Sequence, residues 1–439
     1  MYFVFALFFL VISCSAISLD DVHAIADVDS WEVARHNAEC MVKALNIANS
    51  LRVGERTVVV PSNTVYYFAN FTGYQLNDIT LQVDGTIKFS DDIKRWNVTE
   101  KGYLIHFEDS EGVHVKGDGI IDGSGLAWWR VSYLGIDHRS HLLHFYQSRD
   151  ITVEGITLLN APSWSLDLKD CADVVIHDIT IYIDSSIERY IFSQVGVTYA
   201  LNTDGIDISA HNVTVYNCNI TNYDDAIVPK PCRSSWKYCT CAGDILAYNN
   251  TIKYGVGLSI GSVPPNAEVN CVRNVTFKDT YMYLPLKAIY VKSNPGVEGS
   301  GIIEDIVYEN IQIVQALWWT VWIGPQQQNQ PGGDSGTGCS FLFPYVPTCP
   351  TQPLVTMNRI TLRNVIATDT FQGPGVILCN EENPCTNMVF DNVTNTPFNG
   401  NMDEFMNYSQ LSPYLKNYVS QLKYKYDGSF EYISTNAYG

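Results

Sequence analysis

The sequence predicts an all-β protein, a right-handed parallel β-helix preceded by a short capping helix. Three observations lead there: a nine-residue phrase recurs along the chain, helical periodicity is confined to one early segment, and closely spaced hairpin turn pairs are scarce. The phrase reads Asp150-Ile-Thr-Val-Glu-Gly-Ile-Thr-Leu158 and returns at 173–181, 212–220, 274–282, 305–313, 359–367 and 387–395. Apolar residues alternate on both sides of a central Asn, Asp or Gly. Period two marks a strand and the central residue tolerates a tight turn, so each copy reads as strand, corner, strand. The shorter gaps between copies approach one solenoid coil. A β-sandwich or propeller is the competing architecture, but each run needs a long return path, which favours parallel coils. The segment from Trp31 to Asn49 sets Val33, Ala34, Cys40, Met41, Ala44, Leu45 and Ala48 at helical spacing. A helix there would cover the open apolar end of a solenoid. One domain is expected over 17–439, with a Tyr-rich tail from about 401 to 439 along its side.

Composition narrows the function. The 439 residues are 46% hydrophobic, 12% aromatic and 17% charged, a balance that suits a packed body rather than a disordered chain. The net charge of −19 argues against a nucleic-acid binder, which needs a basic surface. Residues Met1 to Ala16 are nearly all apolar, lack charge and end in small side chains, with Asp20 and Asp21 close behind. This predicts a signal peptide, 1–16, and a secreted, extracellular chain with no membrane association after cleavage; a retained anchor is the alternative. Asn-x-Ser/Thr sequons begin at Asn70, Asn97, Asn212, Asn219, Asn249, Asn274, Asn392 and Asn407, as suits a secreted glycoprotein. Cys14 departs with the signal. Of the eleven remaining cysteines, Cys379 with Cys385 and Cys339 with Cys349 close short loops, and one is expected to stay unpaired. Cys232, Cys239, Cys241 and Cys271 read as two disulfides in a secreted chain, or as a zinc site in a cytosolic one.

A second set of segments carries the chemistry: Asn202-Thr-Asp-Gly-Ile-Asp207, Asp224-Asp-Ala-Ile-Val-Pro-Lys230, Gly255-Val-Gly-Leu-Ser-Ile-Gly-Ser262, Ala288-Ile-Tyr-Val-Lys-Ser293 and Trp318-Trp-Thr-Val-Trp-Ile-Gly324. Each follows its predecessor by about one coil, so they should stack on one face with rungs roughly 4.8 Å apart. Asp204 would then lie beside Asp224 and Asp225, near Lys230 and Lys292. Crowded carboxylates raise the pKa of at least one. An inverting glycosidase needs that combination, a protonated acid and an ionised base roughly 6.5–9.5 Å apart with water between them. Taken singly, the aspartates are equally well read as turn residues.

Asn202-Thr-Asp-Gly205, Asp224-Asp225, Gly257-Leu-Ser-Ile-Gly-Ser262 and the upstream Ile121-Asp-Gly-Ser-Gly-Leu-Ala-Trp-Trp129 together resemble the polygalacturonases and their relatives, glycoside hydrolase family 28. The likeness extends over nearly all of the chain after the signal. It implies a right-handed parallel β-helix and a secreted hydrolase of pectic polysaccharide. By that resemblance Asp224 would be the general acid, Asp204 and Asp225 would position and deprotonate water, and Asn202 would hold a carboxylate or hydroxyl. Two departures stand out. The family's His between the glycines is Val256 here, and its Arg-Ile-Lys is Tyr290-Val-Lys292. The family uses that Arg and Lys to grip a galacturonate carboxylate, and Tyr offers no charged fork. These departures place the expected specificity nearer the rhamnogalacturonan hydrolases, with Tyr290, Trp318, Trp319 and Trp322 as stacking faces for a less charged sugar, or as packing between coils.

The expected substrate-binding set is Asn202, Lys230, Lys292, Tyr290 and Trp322, with no metal or cofactor and a monomeric enzyme. Two further readings compete: a β-eliminase on the same fold, and a non-catalytic glycan-binding protein suggested by Val256 and Tyr290. The Gly117-Asp-Gly-Ile-Ile-Asp-Gly123 run has the wrong spacing for a dinucleotide loop.

Overall fold

The computed structural model describes residues 16–96, 102–132, 138–186, 200–265, 270–327, 338–340, 343, 348–398 and 433–435. The signal peptide expected at 1–16, apart from Ala16, lies outside the described residues, as do the sequons at Asn97 and Asn407 and most of the tail. No helix of the described residues is long and apolar enough to cross a membrane.

The repeat builds a right-handed parallel β-helix, as expected. Residues 150–158 run along one strand, Arg149–Glu154, turn, and continue into Thr157–Leu159. Each copy is hydrogen-bonded in parallel to the next. Ile151 sits beside Val174 and Val113, while Leu158 sits beside Ile181 and Ile121. The first and sixth residues of every copy have positive φ: Asp150 and Gly155, Asp173 and Asp178, Asn212 and Asn217, through to Asn387 and Asn392. Among L-residues, Asn and Asp adopt this left-handed conformation most readily, which is why they mark the corners. Their side chains then bond from coil to coil. Asn249 Nδ2 donates to Asn217 Oδ1 (2.7 Å), Asn364 to Asn310 (3.0 Å) and Asn392 to Asn364 (2.9 Å).

An unrecognised eighth copy fills the widest gap, Asp244-Ile-Leu-Ala-Tyr-Asn-Asn-Thr-Ile252, with left-handed Asp244 and Asn249. Asn250 hid it, because a polar residue takes the interior position that Cys218 holds one coil earlier. Asn250 is buried, accepting from Cys218 N (2.9 Å) and donating to Val215 O (3.3 Å).

The phrases cover two sides of the coil. The third side carries Phe71, Ile105, Leu143, Leu166, Ile206, Ile227, Leu258, Ile289, Val321 and Gly375 in one register. The apolar members of this column point inward and join the core. Of the tail, Ile433–Thr435 extends this side by pairing with Gly375–Leu378.

At the N-terminal end α1 (Trp31–Ser50) closes the core, capped by Ser30, whose hydroxyl accepts from Val33 N. Ala34, Met41, Ala44, Leu45 and Ala48 face inward, whereas Val33 is half-buried. Asn37, fully buried on the same face, ties the helix to the first coils by donating to Ile25 O and Tyr67 O.

Four disulfides link Cys232–Cys239, Cys241–Cys271, Cys339–Cys349 and Cys379–Cys385, which excludes the zinc alternative. The expectation of one unpaired cysteine is corrected to three. Cys40, Cys171 and Cys218 are buried and unbridged, and act as small apolar side chains at α1 and at two corners.

Candidate active site

Moving two residues back along the third-side register reaches the residues entering each strand. They align as one column: Ala69, Tyr103, His141, Trp164, Asp204, Asp225, Val256 and Lys287. The pairing of Tyr103 with His141 belongs to it, and so do the bonds from Ser165 N to Asp204 O (2.9 Å) and from Gly205 N to Asp225 O (2.8 Å). Asp204 and Asp225 are therefore on adjacent rungs, and Asp224 precedes Asp225 on the same turn. One carboxylate oxygen from each of the three lies within 4.8 Å of the others. That is tighter than the spacing expected for an acid and base with water between them.

Glycines allow the approach. A Cβ on Gly205 would stand 2.3 Å from Ala226 O, and one on left-handed Gly255 would stand 2.4 Å from Asp224 O. Asn222, buried and absent from the sequence reading, joins the two loops. Its Nδ2 donates to the carbonyls of Thr203 (3.1 Å), Asp224 (2.9 Å) and Asp225 (2.9 Å).

The three carboxyls differ in environment. Asp225 is buried and accepts from Lys292 Nζ (2.6 Å) and from the Ser259 hydroxyl. Burial works to raise its pKa, but the ammoniums of Lys292 and Lys230 outweigh this and hold it below the usual carboxylate value. Asp224 is half-buried, its Oδ1 accepting from Asp225 N (2.9 Å) and its Oδ2 3.5 Å from Asn202 Nδ2. Burial, then repulsion from Asp225, raises it. Asp204 is pushed well above the ordinary value by burial and then by Asp207 and Asp224. Lys230 Nζ lies 3.0 Å from Asp207 and 3.7 Å from Asp204. Burial pushes Asp207 up to about 8 against the pull of Lys230. Two buried carboxyls share one ammonium here, so one of them keeps its proton.

The sequence-predicted residues Asp204, Asp224, Asp225, Asn202, Lys230 and Lys292 thus come together. Asn202 is held from behind by Arg139, whose Nη2 donates to its Oδ1 (3.1 Å) and whose other guanidinium nitrogen donates to Leu201 O. Tyr290 reaches the site, but its ring is 3% exposed, with the ammoniums of Lys287 and Lys292 at 4.4 and 4.7 Å from its centroid. Gln327 N donates to its hydroxyl (2.6 Å). The expectation that Trp322 offers a sugar-stacking face is corrected: it is fully buried, donates to Pro325 O (2.9 Å) and packs edge-on against Phe343. Trp318 and Trp319 are buried beside it. The half-buried indole at the site is Trp164, with Lys230 Nζ 4.5 Å above its ring. Its signal was positional only, two residues before a strand that no phrase announced. Lys287, in the same column, is pushed down to about 7 by burial and by Lys292.

A parallel solenoid that gathers three carboxyls of opposed acidity beside buried ammoniums has the equipment of a polysaccharide-cleaving enzyme. The chain belongs to the glycosyl hydrolases family 28, whose sequence pattern matches residues 52–411, and it is a glycosidase. It is 23% identical over 363 residues to an exopolygalacturonase of Zea mays, covering 80% of this chain and 78% of that one. It is 26% identical over 351 residues to a polygalacturonase of Juniperus ashei, covering 76% and 60%. Its fold matches the endo-xylogalacturonan hydrolase of Aspergillus tubingensis (TM-score 0.61, 18% identity, 86% and 92% covered). It also matches the polygalacturonase of Erwinia carotovora ssp. carotovora (TM-score 0.58, 19% identity, 83% and 93% covered).

Proposed function

We propose that this chain is a secreted hydrolase of pectic polysaccharide that cleaves bonds between galacturonate units. The observation carrying the proposal is the opposed perturbation of neighbouring carboxyls: Asp224, raised and half-open, beside Asp225, lowered and held by Lys292. Asp224 then protonates the leaving glycosidic oxygen while Asp225 removes a proton from water that Asp204, retaining its own proton, orients. Asn202 holds Asp224 and a substrate hydroxyl. Lys230 and Lys292 supply positive charge to an acidic sugar despite the overall charge of −19. A direct displacement by water inverts the anomeric centre. The inverting outcome rests on the family resemblance, since spacing within 4.8 Å does not select it.

Val256 and Tyr290 support a second reading, in which the sugar beyond the cleaved bond is less charged, as in rhamnogalacturonan. The names of the relatives favour the galacturonan reading.

Release of reducing ends from galacturonan and rhamnogalacturonan, measured side by side, tests the choice. Asp224→Asn should lower turnover by about 10²–10⁴-fold with unchanged folding. Retained turnover removes Asp224 as the acid, and glycan binding without turnover by the natural chain removes the hydrolase reading. The signal peptide is tested by N-terminal sequencing of the secreted protein.

A further inference from the structure

The ammoniums of Lys230, Lys287 and Lys292 gather at the catalytic column, and two of them serve carboxyls of the chain itself. Lys292 holds Asp225 at 2.6 Å, and Lys230 lies 3.0 Å from Asp207 and 3.7 Å from Asp204. Lys287 is placed differently. Because Leu258 pairs with Ile227 on one side and with Ile289 on the other, Lys287 stands one rung beyond Val256 and two beyond Asp225. Two rungs are roughly 10 Å of backbone, a gap that a long side chain can narrow. Its Nζ lies 4.4 Å from the centroid of the Tyr290 ring, and the Nζ of Lys292 lies 4.7 Å from the same point. Tyr290 is in register with Ser259, whose hydroxyl donates to Asp225. The ring is fixed, since Gln327 N donates to its hydroxyl (2.6 Å) and Val256, Trp318 and Trp319 pack in the same apolar cluster. A rigid aromatic plate thus sets two ammoniums beside the paired carboxyls. Lys287 is 4% exposed and Asp204 3%, so the two lie equally deep.

Burial and then Lys292 push Lys287 down to about 7, against weaker pulls from Asp225 and Asp224. The chain's own carboxyls therefore do not offset the positive charge at this corner. An arriving carboxylate supplies the missing anion and accepts charge-assisted hydrogen bonds, which a methyl ester or a neutral sugar cannot match. We propose that Lys287 is the specificity-determining residue for acid: its ammonium receives the carboxylate of the sugar bound beside Asp224, on the Val256 side of the column. The proposal deepens the hydrolase reading given above and rests on it. Tyr290 then serves as the plate that positions two cations, and the preferred ligand is a uronate with its carboxylate free.

Calorimetric titration of Asp224→Asn protein with a galacturonate oligomer and with its methyl ester measures the preference for acid apart from turnover. The acid should bind more tightly. Lys287→Met on the same background, checked for an unchanged melting curve, should cut the ratio of the two affinities by about tenfold to a hundredfold, the size of one charge-assisted hydrogen bond. Lys287→Arg keeps the charge and should retain a preference for acid. Should Lys287→Met fail to fold, Lys287→Gln takes its place. A packing role would weaken both ligands alike. That result, an unchanged ratio, or a Lys287 protein that binds both ligands equally or neither, overturns the proposal. Release of reducing ends by the natural chain judges the hydrolase reading separately. A chain that prefers the acid through Lys287 yet cleaves nothing removes that reading and leaves the role of Lys287 standing.

Discussion

Lys292→Met gives the sharpest test of the active-site electrostatics. The Lys292 ammonium lies 2.6 Å from Asp225, and both side chains are 2% exposed. At an effective dielectric near 20 their attraction is about 6 kcal/mol, much of it offset by the dehydration of both ions. Removing one partner strands the other, so Lys292→Met should destabilise the fold by about 3–5 kcal/mol near neutral pH. The size must depend on pH in a definite direction. Asp225 is held below its ordinary value in the folded chain, so its stabilising contribution is present above the unfolded pKa and disappears as pH falls through the folded one. The gap between natural chain and variant should therefore narrow in acid. With Lys292 gone, burial dominates, the Asp225 pKa rises, and the acidic limb of kcat/KM moves to higher pH. Thermal melts and pH–rate profiles measure both effects. An unmoved acidic limb, or a stability gap that widens in acid, refutes Asp225 as the ionised base. Lys292→Met combined with Asp225→Asn should recover most of the lost stability but none of the activity, because no buried charge is then left alone.

Other consequences can be measured on the same samples. Asn222→Ala leaves three buried carbonyls without their shared donor and should cost about 2–4 kcal/mol by urea unfolding, together with most of the activity. The Asp204–Asp207 pair, with Asp207 pushed up to about 8, keeps a proton that the unfolded chain has lost, so stability falls as pH rises from about 4 to 8. Asp207→Asn should flatten that decline in a pH series of melts. Cutting Cys241–Cys271 by double Ser substitution opens a loop of 30 residues and should cost about 3–4 kcal/mol, read from denaturation midpoints. The first product released should carry the inverted anomeric configuration by proton NMR.

The parts of the fold visible in the sequence were those with a local cause. Left-handed corners demand Asn, Asp or Gly, and alternating burial demands period two, so seven phrases announced two sides of the coil. Asp244–Ile252 escaped because Asn250 solves an interior position with hydrogen bonds instead of apolar surface. The three aspartates were found because their neighbours form recognisable segments. Asn222, Arg139, Ser259 and Lys287 were not singled out, because their roles depend on register across coils of unequal length. Ile206 pairs with Ile227, for example, whereas Val321 pairs with Gly375. Trp322 misled because spacing along a strand does not tell whether a neighbouring segment, here Phe343, covers the ring.

Among the described residues, corner amides bond to the coils just before and after them. Cooperativity in such a column passes between nearest neighbours, and loosening begins at the ends and travels inward. Asp204 and Asp225 occupy rungs well away from either terminus. The chemistry is thus housed where fraying arrives last, and trimming an outer coil should erode thermal endurance before it disturbs turnover.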